Sequence, residues 1–179
     1  KTAATIALLL LAAPAVAHHK QTPPIVQFST TGDTALRRVA AFGSVLTFLT
    51  PELGTPQIER FDVGALTSHQ VTLAGDNQNP STSRTGLVIV WDSSEDFTSS
   101  GDPGRQIFQM SNGKISQLVH DPSGTSTNPA VSAGGTRVAF ESTGDLADTG
   151  NMGHRQVFLA DQRGILKQLS TGEGTSRNP

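Results

Sequence analysis

The sequence predicts an all-β chain made of repeated four-stranded blades, an incomplete β-propeller of about three blades preceded by an orphan outer strand. Three observations predict it. Asn79-Pro80 returns as Asn128-Pro129 and again as Asn178-Pro179, at spacings of 49 and 50. Short apolar segments recur in the same order inside each interval. The composition favours many turns between short strands: 18 Gly and 10 Pro stand against only 16% charged residues, and Gly, Pro, Asn and Ser each set turn geometry by a different route. Self-similarity at a period of about 40–50 residues is the sequence signature of blade repeats.

In chain order, the first element is a leader. Lys1-Thr2 precede the apolar run Ile6-Ala7-Leu8-Leu9-Leu10-Leu11-Ala12-Ala13, Pro14 breaks it, and Ala15-Val16-Ala17 places small residues at the −3 and −1 positions. This pattern predicts a secretory signal peptide over 1–17. The apolar run is shorter than the roughly 20 residues that span a bilayer, so no membrane span is expected after cleavage. Residues 18–24 read as a linker and 25–179 as the partial propeller. Ile25-Val26-Gln27-Phe28 reads as the orphan outer strand.

Three units follow, at about 36–78, 79–127 and 128–177, with the next opening at 178. In the third unit, Ala130-Val131-Ser132 is predicted as the first strand, 133–136 as a tight turn and 137–142 as the second strand. A polar loop then runs to His154; 156–161 is the third strand, 162–164 a hairpin turn and 166–170 the fourth. These segments are rich in Val, Phe, Ile and Leu and are bounded by Gly, Asn, Asp and Pro. The second unit carries Gly86 and Trp91 where the third has Gly135 and Phe140. It carries Arg105-Gln106-Ile107-Phe108 where the third has Arg155-Gln156-Val157-Phe158, and Ser116-Gln117-Leu118 where the third has Lys167-Gln168-Leu169. In the first unit Gly43 and Phe48 keep the same gap, Ile58-Glu59-Arg60-Phe61 is a third version of the Arg-Gln segment, and Gln70-Val71-Thr72-Leu73 closes the unit. Phe48, Trp91 and Phe140, with Phe108 and Phe158, are therefore expected in the repeat core, because each blade must bury a face against its neighbour.

The pattern Asn-Pro-x-Val-Ser-x-x-Gly-x-x-Val-Ala-Phe-x-Ser, followed by an aspartate-rich loop and Gln-Val-Phe-Leu-x-Asp, resembles the TolB-type, WD-like β-propeller repeat of bacterial exported proteins. The match is closest over 128–170. In the second unit Thr82 stands where the third has Val131, and Met110-Ser111 replaces the Ala-Asp that ends the third strand. The resemblance implies a module that binds a protein partner, in the periplasm or outside the cell. Three units do not close a ring of four to eight blades, so the remaining blades are expected beyond Pro179.

In a four-stranded up-and-down blade, the loop between strands two and three shares an end with the connections between blades. Here those are 95–104 and 144–154, with 121–127 and 171–177, the longest and most polar loops of the chain. Long loops on one side of a repeat array are its usual binding side. The residues marked out there are Glu95, Asp96, Asp102 and Arg105 in one unit and Asp145, Asp148 and Arg155 in the next. Asp145, Asp148 and Asn151 are also the oxygen-bearing residues through which the loop could take calcium. Related repeats carry an aspartate where this chain has Gln106 and Gln156, which weighs against calcium, and solvated turn carboxylates are the preferred reading. No other cofactor is implied.

The remaining observations exclude more than they assign. A net charge of −2 and a pI of about 6.2 give no electrostatic footprint for nucleic acid. Zero Cys removes disulfides and thiolate chemistry. No Gly-x-Ser-x-Gly elbow, His-Glu-x-x-His helix or phosphate-binding Gly-rich loop occurs, so no catalytic residue is assigned. The expected function is a noncatalytic exported binding module. The alternative is the propeller portion of a larger hydrolase, a serine peptidase or a glycosidase.

Overall fold

The structure, a computed structural model, describes residues 6–8, 26–28, 39–42, 44–52, 55–150, 153–164, 166–172, 174–177 and 179. The chain divides into two units, 1–36 and 37–179. In the first, β1 (Ile6–Leu8) pairs antiparallel with β2 (Val26–Phe28), Ile6 opposite Phe28. The strand expected at 25–28 is present over Val26–Phe28, outside the three blades, and it pairs with β1. An apolar strand with an open edge pairs with another segment of its kind, and here the partner comes from the run predicted as leader. The rest of that leader, and 18–24, lie outside the described residues.

The second unit holds three four-stranded antiparallel sheets whose strand order follows the chain. Blade 1 is β3 (Val39–Phe42), β4 (Val45–Glu52), β5 (Thr55–Asp62) and β6 (Thr67–Gln70). Blade 2 is β7 (Asn77–Thr82), β8 (Val88–Ser93), β9 (Gln106–Ser111) and β10 (Lys114–Gln117). Blade 3 is β11 (Ser126–Val131), β12 (Arg137–Ser142), β13 (Gln156–Asp161) and β14 (Leu166–Gln168). No helix occurs among the described residues, and none is long and apolar enough to cross a membrane.

The inner strands of blades 2 and 3 start two residues ahead of their Asn-Pro. The Asn-Pro lies inside β7 and β11, at a register shift between Gln78 and Ser81 and between Thr127 and Ala130. Asn79 and Asn128 have φ of 52° and 53°. Asn tolerates the left-handed region, and a bulge is a place where a proline without an N–H can sit in a sheet. The repeat's most visible dipeptide thus marks a kink within the strand and not its beginning.

Gly86 and Gly135 recur for a different reason. Both have positive φ, and a Cβ at either would come within 2.5 Å of Val45 or 2.8 Å of Val88, each on the preceding blade. The turn must be bare for neighbouring blades to close together.

The core sits in the two seams. Leu49 and Ile58 of blade 1 meet Ile89, Trp91 and Phe108 of blade 2. Val88, Val90, Ile107, Leu118 and Val119 on the blade 2 side meet Val138, Phe140, Phe158 and Ala160 of blade 3. Trp91 lies opposite Phe108 in the ladder and stacks on it at 6.2 Å, with Phe97 edge-on to both. Phe140 and Phe158 repeat that pair at 5.7 Å. Such pairs add to burial what ring geometry supplies.

Blade 1 departs from the expected register. Val71, Leu118 and Leu169 donate their backbone N–H to the carbonyls of Ile58, Ile107 and Val157, each at 2.8 Å. Ile58 is therefore the counterpart of Ile107, and Gln57-Ile58-Glu59 answers Gln106-Ile107-Phe108. The match of Ile58-Glu59-Arg60-Phe61 to Arg105-Gln106-Ile107-Phe108 is two residues out. A shift of two keeps every side chain on its own face, so hydrophobic pattern alone did not expose it.

Candidate binding face

The strand registers decide which loops share an end. Asn77 lies opposite Ser93, Ser93 opposite Gln106, and Phe108 opposite Gln117. The start of β7, the end of β8, the start of β9 and the end of β10 therefore meet at one end of blade 2. The loops 94–105 and 143–155 and the connections 71–76 and 118–125 all leave from that end. In blade 1, β4 and β5 pair out to Glu52 and Thr55, which leaves only two positions of sequence between them.

Beneath the loops lies a polar frame. Arg105 donates from Nε to Asp92 Oδ2 at 2.8 Å and from Nη1 to Asp76 Oδ2 at 2.7 Å; its Nη2 reaches the backbone carbonyls of Asp76 and Asp92. Asp92 is completely buried, and its Oδ1 accepts Asn79 Nδ2 at 2.6 Å and the backbone N–H of Asn128 at 3.1 Å. That last bond crosses from blade 2 to blade 3. Burial pushes the Asp92 carboxyl above its ordinary range, against the hydrogen bonds from Asn79 and Arg105 that pull it down. In blade 3, Arg155 donates to Glu141 Oε2 at 3.1 Å and to Thr127 Oγ1 at 2.7 Å.

A second recurring device ties each connection to its blade. Gln106 and Gln156 open their third strands, Gln57 is the third residue of β5, and all three are at most 3% exposed. Gln57 Nε2 donates to the carbonyl of Gly75, Gln106 Nε2 to those of Pro103 and Asp121, and Gln156 Nε2 to those of Gly172 and Gly174. A buried amide that finds carbonyls on an otherwise unpaired loop satisfies both sides.

Each long loop is also folded on its own aspartate. Asp96 accepts the amides of Ser100 at 2.9 Å and Gly101 at 2.8 Å; Asp145 accepts those of Thr149 at 2.8 Å and Gly150 at 2.9 Å. The amides of Gly101 and Ser100 hold the exposed Asp96 carboxyl below its ordinary range. The outermost strand then clasps the loop. Gln117 Oε1 accepts the hydroxyls of Thr98 and Ser100, and Gln168 Oε1 accepts that of Thr149. Gln117 Nε2 and His120 Nδ1 both contact Asp102 Oδ2, at 2.7 and 2.9 Å.

Of the residues marked out from sequence, Arg105 and Arg155 belong to the frame, Asp96 and Asp145 organise their loops, and Asp102 anchors the clasp. Glu95 and Asp148 remain as exposed carboxylates. Asn151 lies outside the described residues, and among those described no three His, Cys, Asp or Glu side chains gather as a metal-binding group. Phe48, Trp91, Phe108, Phe140 and Phe158 are all buried, at 5% exposure or less. Sequence reading missed the roles of Asp92, Asp121 and the three glutamines. Gln106 and Gln156 carried a signal in their recurrence, and so did Asp92, whose place after Trp91 is taken by Glu141 after Phe140; Asp121 carried none. Asp121, fully buried, accepts the hydroxyls of Ser126 and Ser142. Leu73, on the connection 71–76, is 82% exposed.

No family model and no curated protein matches the chain. Solved structures do. An Agrobacterium tumefaciens protein assigned as TolB superposes with a TM-score of 0.55 at 21% identity, over 74% of this chain and 48% of that one. The fold is a TolB-like β-propeller. The propeller domain of the Trilobed protease from Pyrococcus furiosus gives 0.52 at 7% identity, over 76% of this chain and 43% of the other. Dipeptidyl peptidase 4 of Porphyromonas gingivalis gives 0.57 at 16%, over 85% and 22%. The chain thus spans about half the length of the TolB structure it matches, and the three antiparallel sheets stand as blades of an incomplete TolB-like propeller.

Proposed function

We propose that the chain is a noncatalytic propeller module, exported from the cytoplasm, that binds a protein through the loop end of its blades. One observation carries this reading: the long loops are pinned on their own aspartates over 96–101 and 145–150, so these segments offer a preorganised surface at low ordering cost. Leu73 stands exposed on the same end, and Gly75 of its connection lies against Glu95. The test is site-specific photo-crosslinking in the native cell envelope. A crosslinker at Leu73, Glu95 or Asp148 should join one common protein, whereas crosslinkers at Leu66 and Leu87, on turns at the opposite end, should not. A common partner reached only from the opposite end sinks the reading.

Export is tested separately. Leu9→Arg places a charge in the short apolar run and should abolish processing near Ala17; unchanged export of the variant would refute the leader. A second reading, as the propeller of a larger hydrolase, is supported by the peptidases among the similar structures, including a prolyl endopeptidase at a TM-score of 0.55 and 14% identity. A Gly-x-Ser-x-Gly segment elsewhere in the same reading frame would favour it.

A further inference from the structure

Blades 2 and 3 enclose a cleft of about 320 Å³ between β9–β10 and the turn joining β13 to β14. Three features of its lining concern us. Gln109 is 9% exposed, its Nε2 donates to Ser116 Oγ at 3.3 Å, and its Oε1 has no hydrogen-bond partner among the described residues. A buried acceptor without a donor is unusual in a folded protein. The repeat does not require it either, since the positions equivalent to Gln109 are Arg60 in blade 1 and Leu159 in blade 3. Arg163 is exposed at the cleft mouth, no carboxylate pairs with it among the described residues, and no acidic side chain lines the cleft. Leu118 and Leu166 supply apolar surface within it.

The missing partner is thus an N–H donor, the unpaired guanidinium calls for an anion, and the wall between them is apolar. A segment of extended peptide carries all three groups in one short span, and β10, at the edge of its sheet, runs along the opening. We infer that this cleft binds an extended acidic peptide, with a backbone N–H donating to Gln109 Oε1, a carboxylate on Arg163 and an apolar side chain against Leu118 and Leu166. This site is independent of the loop-end reading.

The experiment titrates the whole chain against a fluorescein-labelled octapeptide of alternating Asp and Leu, followed by anisotropy. Binding should be saturable, in the micromolar range, and weakened at least about tenfold by Arg163→Glu and by Gln109→Leu. Leu73→Glu, at the loop end, should leave it unchanged, so failure of the loop-end proposal is read separately. Arg163 is exposed, so its variant keeps the test valid if Gln109→Leu unfolds, and the melting curve of each variant identifies that case. Absence of saturable binding overturns the inference. Equal binding of the Lys-for-Asp octapeptide also overturns it. If free glutarate displaces the probe at the probe's own affinity, the cleft is a small-carboxylate site and the peptide assignment is wrong.

Discussion

Blades 2 and 3 are built from the same four strands with the same turns, yet their equivalent positions have different fates. Ile107 is fully buried and its counterpart Val157 only partly. Leu118 is 5% exposed, whereas Leu169, which makes the same backbone bond, is 52% exposed. Blade 2 is packed on both faces; blade 3 rests on blade 2 through Val138, Phe140, Phe158 and Ala160 and leaves its other face partly open. The lesson is that a blade's strands are specified locally but its burial is conferred by a neighbour. The same distinction separates the two arginine sites. Arg105 reaches Asp92 and Asp76, while Arg155 reaches Glu141 and Thr127.

The largest expected effects test that asymmetry at fully buried groups. Arg105→Ala strips the buried Asp92 of its cation and should cost about 3–5 kcal/mol in urea unfolding. Arg155→Ala should cost less, since Arg155 makes fewer bonds. Equal losses would show that the two frames do the same work.

Next is the matched pair of leucines. Leu118→Ala should cost about 2–5 kcal/mol as a buried truncation, and Leu169→Ala less than about 0.5 kcal/mol as a surface change. If Leu169→Ala proves as costly as Leu118→Ala, a partner covers blade 3 in solution, and light scattering will say whether it is a second copy of the chain.

A smaller effect belongs to the loop clasps. Gln117→Ala and Gln168→Ala should each cost about 0.5–1.5 kcal/mol and speed hydrogen exchange in their own long loop only. Exchange rising in both loops from one substitution would mean that the loops are coupled across the seam.

The subtlest comparison sets Asp92 against Asp96 in unfolding midpoints taken from about pH 2 to pH 7. Burial raises Asp92, so the folded chain holds that proton more tightly than the unfolded chain. Its contribution to stability falls as pH rises from the ordinary carboxylate range through the raised value, and Asp92→Asn should remove that fall. Asp96 is lowered by the amides of Gly101 and Ser100. Its contribution is present above the ordinary carboxylate pKa and is lost as pH falls through its folded value, so Asp96→Asn should flatten the acid limb. The opposite signs would exchange the roles assigned to the two carboxylates.

Sequence by itself determined the repeat, and with it the fold. Strands β12 and β13 fall on the residues expected, because Val, Phe and Leu bounded by Gly and Asp constrain short strands locally. The repeated order of Gly, aromatic and Gln positions places two of three blades in register. Tertiary structure decided the rest. The two-residue register of β5 depends on a pairing with β4 that a period-2 pattern cannot distinguish from its neighbour. The start of the inner strands depends on a bulge that hides Asn-Pro within the ladder. Sequence places Arg105 on the binding side beside a loop, and it is part of the frame only because Asp92, thirteen residues earlier, is buried beneath it. Local sequence fixes which residues alternate and where the chain turns. Which polar groups are left without water, and so must find each other, is settled only when one blade closes on the next.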